Sequence, residues 1–230
     1  MNSQYNSVKS GQWPTIDYTE NANVTNSLRF NDDDNPRMGR TPSSTGTEET
    51  WTWSFWIKRS TIGTLQVIFQ IGADKNNCDQ FFFNTSDQLQ YEHLDSGSDT
   101  DDLNTTQVFR DTSAWYHIVL NADTTNSVTS ERIRIYVNGE RVTDFATENY
   151  PTQNTPTDVN TQVLHQIGAQ LSATYYSFDG YMSEIHLIDG MHMDQNILVN
   201  LIVLITGYQK NIPDRMGQMV LKLMEEILLT

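Results

Sequence analysis

Cysteine is nearly absent from this chain. Cys78 is the only one in 230 residues, so no disulfide can form within it and no cysteine-based zinc cluster is available. Basic residues are also sparse: 14 Lys and Arg stand against 29 Asp and Glu, for a net charge of −15. A phosphate-binding face needs clustered cations, so nucleic acid is not an expected partner. No apolar run reaches the roughly 20 residues needed to cross a bilayer, so no membrane span is expected. The first residues, Met1-Asn-Ser-Gln-Tyr-Asn-Ser-Val-Lys-Ser10, hold no apolar stretch of the kind a signal peptide carries.

What the chain does carry is strand chemistry. Trp51-Thr-Trp-Ser-Phe-Trp-Ile-Lys58, Trp115 to Leu120, Ile133 to Val142 and Phe178 to Gly190 are β-branched and aromatic runs bounded by Asn, Asp and Gly. A pleated, half-buried surface selects that pattern, and it predicts an all-β fold, a large antiparallel β-sandwich. Further strands are predicted at 27–31, 37–40, 65–71, 80–84, 89–93, 108–109, 140–145 and 162–167. Asn31 to Pro36 and Asp95 to Asp102 read as turn-rich loops. Ile133, Ile135 and Val137 alternate with polar positions and run into Asn138-Gly139, which supplies the positive φ angles of a two-residue hairpin turn. Trp53, Phe55, Trp56 and Trp115 are expected in the core, because a sandwich of this size needs large inward side chains.

Three zones differ in character. Residues 1–25 are polar and rich in Asn, Ser and Thr, and read as an arm or linker. Residues 26–190 form the sandwich domain. Residues 191–230 are foreign to the rest, since half of them are Ile, Leu, Val or Met. They form an atypical apolar tail that Gly207, Pro213 and Gly217 would break as a helix.

Seven segments, in order, resemble one known family. They are Ser27-Leu-Arg-Phe-Asn31, Arg40-Thr-Pro-Ser-Ser44, Trp51 to Arg59, Thr106 to Asp111, Trp115-Tyr-His-Ile-Val119, Ile135-Tyr-Val-Asn-Gly139, and Phe178-Asp-Gly-Tyr181 through Gly190. Together they resemble the laminin G-like, concanavalin A-like lectin jelly rolls, in the version found in bacteriophage tail and other virion proteins. The resemblance implies that the jelly roll is complete by Gly190. In the phage versions a stretch resembling Tyr-Phe-Gly-Glu-Phe, Trp-Ile-Pro-Lys-Lys-Tyr-Thr-Gly and Tyr-Gly-Thr-Asn-Gly-Phe usually follows. Codons compatible with Met193 to Thr230 can encode that stretch in another frame. The tail is therefore expected to be an out-of-frame sequence.

The candidate chemistry is thin. Endoglycanases of this class place paired carboxylates on one strand face. Here Glu184 and His186 share a face while Asp189 falls on the other, so a glycoside hydrolase is only a remote alternative. His117 reads as a hydrogen-bonded strand residue, and His93, His165 and His186 show no zinc-ligand spacing. The resemblance implies calcium as a possible cofactor, with Asp32, Asp33 and Asp34 on one loop and Asp99, Asp101 and Asp102 on another as its oxygen ligands. Tyr91, Tyr175 and Tyr176, beside turn-rich segments, are candidates for an exposed sugar-stacking rim. The expected function is a non-enzymatic, glycan-binding recognition module. By resemblance its partner is a host-surface glycan and its location a virion. The alternative is a structural virion domain that packs on neighbouring virion subunits and binds no sugar.

Overall fold

Alternation along one strand fixes the inside of the molecule: Trp51, Trp53, Phe55 and Ile57 are buried, and the residues between them face the other way. The computed structural model, which describes residues 26–171 and 176–192, contains thirteen strands in those residues. They are β1 (Leu28–Phe30), β2 (Met38–Arg40), β3 (Thr50–Arg59), β4 (Gln66–Asp74), β5 (Asn77–Phe83), β6 (Gln88–Asp95) and β7 (Ser98–Val108), then β8 (Tyr116–Asp123), β9 (Ile133–Val137), β10 (Glu140–Arg141), β11 (Phe145–Asn149), β12 (Leu164–Ile167) and β13 (Gly180–Asp189). A six-stranded sheet runs β1-β13-β3-β8-β9-β10 and a seven-stranded sheet runs β11-β7-β6-β5-β4-β12-β2. Neighbours pair antiparallel in both. The expected sandwich is therefore present.

Aromatic rings join the two sheets. Trp53 of β3 stacks on Phe69 of β4 at 5.0 Å, and Phe55 of β3 meets Phe81 of β5 edge-on at 6.1 Å. These contacts build a close-packed interior from facing rings. The Phe178-Asp-Gly-Tyr181 segment has a clear structural task. Asp179 accepts from Ser60 N and, through Oδ2, from the Thr61 hydroxyl. A Cβ at Gly180 would stand 2.1 Å from the Lys58 carbonyl oxygen. Only glycine lets the start of β13 approach the end of β3 this closely.

The hairpin at Asn138-Gly139 forms as expected, with φ of 50° and 94°. Other expectations change. The segment 95–102 is not a loop, because most of it belongs to β7, which β6 and β11 flank. Its Ser/Asp/Thr composition hides it, and pairing on both sides overrides propensity. Trp53 and Phe55 are core, as is Trp51, but Trp56 and Trp115 are only half-buried. Trp56 lies on the outer face, stacked on His117 at 5.0 Å. The expected arm at 1–25, Tyr175, and the tail from residue 193 onward lie outside the described residues.

Candidate functional site

The outer face of the seven-stranded sheet carries two cross-strand rows of polar side chains. Gln80 of β5 stands opposite Glu92 of β6, which stands opposite Asp102 of β7, which stands opposite Asn149 of β11. In the next row Phe82, Gln90, Asn104 and Thr147 follow the same path. Antiparallel pairing brings directly opposite side chains within about 5 Å, so such rows can bond laterally. They do. Gln80 Nε2 donates to Glu92 Oε2 at 2.6 Å, and Gln90 Nε2 donates to Glu92 Oε1 at 2.6 Å and to Asp102 Oδ1 at 2.9 Å. Asn84 Nδ2 bonds Gln90 Oε1 at 3.3 Å and Asn104 Oδ1 at 3.2 Å. Apart from Phe82, which is 4% exposed, these members are half-buried or exposed. The result is a pre-ordered polar carpet at the surface.

Of the tyrosines expected at a rim, Tyr176 is exposed at 41%. Its main-chain oxygen accepts from Val67 N, and Val67 stands opposite Phe82. The Tyr176 backbone thus meets β4, the strand next to β5. Tyr91 does not belong to a rim. It is fully buried on the inner face, and its hydroxyl donates to Asp79 Oδ1 at 2.6 Å. Period-two alternation with Gln90 and Glu92 sends it inward.

Beneath that surface lies a cluster of charged side chains. Asp79 of β5, His93 of β6 and Asp101 of β7 stand directly opposite one another on the inner face. His93 Nδ1 lies 3.0 Å from Asp79 Oδ1, and Asp158 N donates to Asp79 Oδ2 at 2.5 Å. Burial alone would lower the His93 pKa, but the Asp79 hydrogen bond and charge outweigh it and raise it to about 9. Burial, reinforced by the Asp79 charge, pushes Asp101 and Asp158 up to about 6 each. Ligating atoms of Asp79, His93 and Asp158 lie within 4.8 Å of one another. Calcium, however, takes six to eight oxygens. Asp79 already accepts three hydrogen bonds, and the nitrogen facing it belongs to a protonated ring. The cluster as it stands does not fit that ion, because His93 is its cation.

The two aspartate groups expected to bind calcium are not brought together. Asp32, Asp33 and Asp34 form an exposed one-turn 3-10 helix after β1, where Asn31 Nδ2 bonds Asp34 Oδ2 at 2.8 Å. Asp99, Asp101 and Asp102 lie in β7 of the opposite sheet instead of a loop. Within that strand Asp101 points inward and Asp102 outward.

A cleft of about 600 Å³ opens between β2, β12 and β13, with Trp53, Ile167, Ile185 and Leu187 among its walls. Three of its polar residues, Asn160, His165 and Asp189, are engaged with one another. Asp189 Oδ1 accepts from Thr47 N and Asn160 Nδ2, while His165 Nε2 accepts from Asn160 N. Those bonds anchor the 41–49 segment. The remaining catalytic candidate, Glu184, sits at a β-bulge with φ of 48° and has His186 Nε2 at 3.5 Å. No described helix is long and apolar enough to cross a membrane.

Two antiparallel sheets, a shared aromatic core and a polar outer face define a lectin-like β-sandwich. The chain belongs to the concanavalin A-like lectin/glucanases superfamily, whose family model matches residues 33–197. Similar solved structures include the CBM40 of the Ruminococcus gnavus IT-sialidase bound to α2,3-sialyllactose, with TM-score 0.51 and 14% identity, covering 72% of this chain and 97% of that one. Domains LG4-5 of the mouse laminin α1 chain align with TM-score 0.52 and 10% identity, covering 73% and 43%. At these identities the likeness concerns the fold. No curated protein sequence matches the chain.

The outer polar rows escaped the sequence reading. One signal for them exists, the strict alternation of Gln88, Gln90 and Glu92 with Leu89 and Tyr91.

Proposed function

We propose that this domain is a non-enzymatic recognition module that binds glycan across the outer face of the seven-stranded sheet, and that it is carried on a bacteriophage tail or other virion protein. The two laterally bonded rows of Gln, Asn, Glu and Asp carry the reading. A sugar offers closely spaced hydroxyls, each a donor and an acceptor, and side chains already held in place lose little conformational entropy when they bind it. Tyr176 adds a ring for the apolar face of a pyranose. A sandwich of similar fold, the Ruminococcus gnavus module, holds α2,3-sialyllactose, which supports glycan as the ligand class. The virion setting rests on the seven motifs in register.

Catalysis is not favoured by the carboxylates. Asp79, with Asp158 close by, is fully enclosed, so a sugar ring cannot reach it, and Glu184 is accompanied by a histidine. The experiment is a glycan array probed with the full chain and with Tyr176→Ala. Binding of a defined glycan class, weakened in the variant, is the expected result. An array without any binding overturns the reading and favours a domain that packs on neighbouring virion subunits.

A further inference from the structure

The polar row through Glu92 continues past β5. Register sets Gln80 opposite Gln70 of β4, and Gln70 opposite Gln166 of β12, so one line of outward side chains crosses six neighbouring strands, from Gln166 to Asn149 of β11. Exposure changes along that line. Gln166 and Gln70 are 5% and 0% exposed, Gln80, Glu92 and Asp102 are half-buried, and Asn149 is exposed.

The buried end has an identifiable cover. Gln166 Nε2 donates to the main-chain oxygens of Ala169 and Gln170 at 3.1 and 2.8 Å, and Leu171 N donates to Gln70 Oε1 at 2.5 Å. Both glutamines point outward, so the 169–171 segment lies on top of the sheet and walls off the row at β4. At the opposite end β11 is the last strand, and the row runs out to the sheet edge. Three strand spacings separate Gln80 from Asn149, about 14 Å at the usual 4.8 Å per strand, which leaves room for about four sugars. One pyranose advances an extended chain by close to one such spacing. Along the strands the polar surface ends sooner on one side, where Cys78 and Leu94 stand opposite each other in the next outward row.

We infer that the ligand of this face is a linear glycan laid across the strands and bound by its non-reducing end, with the terminal sugar over Gln80 against the 169–171 segment and the chain leaving past Asn149. A glycan attached to a surface through its reducing end presents the other end free. A chain that continues beyond the terminal sugar would run into the wall, and a clash of this kind gives specificity by penalising the wrong partner. The assignment rests on the glycan reading and adds the class of glycan, chain ends instead of internal stretches.

The test titrates the full chain calorimetrically with linear gluco-, manno- and galacto-oligosaccharide ladders of increasing length and with the parent polymer of each. In the ladder that binds, affinity is expected to rise with length up to about four sugars, one per strand of the open row, and the polymer is expected to take up one protein per chain whatever its length. Converting the reducing end to an alditol is expected to leave the longer members unaffected. Gln80→Ala is expected to weaken every member by about tenfold, whereas Asn149→Ala removes the gain that the longer members show. Several proteins on one polymer chain, loss of binding in the alditols, or array hits confined to branched glycans with no ladder bound each overturn the inference and leave glycan recognition standing. A shortest binder more sensitive to Asn149→Ala than to Gln80→Ala overturns the assigned direction. No binding to the ladders or to a glycan array overturns both readings together.

Discussion

The Arg59 guanidinium is fully enclosed 3.0 Å from the Asp87 carboxylate, and its plane lies over the Phe83 ring at 4.3 Å. The same carboxylate accepts from Gly63 N and from Arg110 Nε. One side chain therefore joins β3, the turn before β4 and the segment after β7. Removing one member of a buried ion pair leaves the other uncompensated, which typically costs about 3–5 kcal/mol.

Asp87→Asn is accordingly expected to lower unfolding free energy by about 3 kcal/mol or more, measured by urea denaturation. The Asp87 pKa is held below the usual carboxylate value by the Gly63 amide and by Arg110 and Arg59, against its own burial. A depressed folded pKa adds stability that is present above the unfolded value of about 3.9 and is lost as pH falls through the folded one. The wild type is expected to lose this increment below pH 4. The variant is not.

His93 gives the opposite sign. Its folded pKa of about 9 lies above the unfolded value of about 6.5. The stability it adds is complete below pH 6.5 and disappears as pH rises through 9. With the ring mostly buried, the increment is about 3 kcal/mol. Histidine resonances followed by NMR should show one ring titrating near pH 9, and His93→Gln should flatten the alkaline loss of stability. A His93 ring titrating near 6.5 contradicts this account.

Cation dependence follows from the same ring. Because His93 already pairs with Asp79, the carboxylate the cluster shares, adding calcium or removing it with a chelator is expected to leave the wild-type Tm unchanged. In His93→Ala, Asp79, Asp101 and Asp158 have no cation among them, and calcium is expected to raise Tm. Thermal scans with and without the ion check both arms.

Cys78 is fully buried, and its thiol is pushed up to about 12, chiefly by burial. Only a thiolate attacks a disulfide reagent. The native chain is expected to be inert to such a reagent at pH 8 and to react stoichiometrically once unfolded.

Much of the fold was legible in the sequence because its inner faces are strongly apolar. β3 reads inward at Trp51, Trp53, Phe55 and Ile57, and the Asn138-Gly139 turn names its own geometry. β7 was not legible. Its inward positions are Asp101, Leu103 and Thr105, two of them polar, and only cross-strand partners such as His93 explain them. Of the tyrosines read from the sequence as a rim, Tyr176 is exposed. Tyr91 could not be told from an exposed ring, since the carboxylate that takes its hydroxyl inside the core, Asp79, lies in the preceding strand. The polar rows belong to four strands joined only by register, and a linear reading shows just the Gln88-Gln90-Glu92 alternation.

The central claim is that the outer rows bind glycan, and Gln90 is their junction. The most direct measurement is the calorimetric affinity of the strongest array hit for the wild type and for Gln90→Ala, with Tm recorded for both. The account predicts at least a tenfold loss of affinity, about 1.4 kcal/mol, with the fold intact. Equal affinity in a folded Gln90→Ala variant would contradict it.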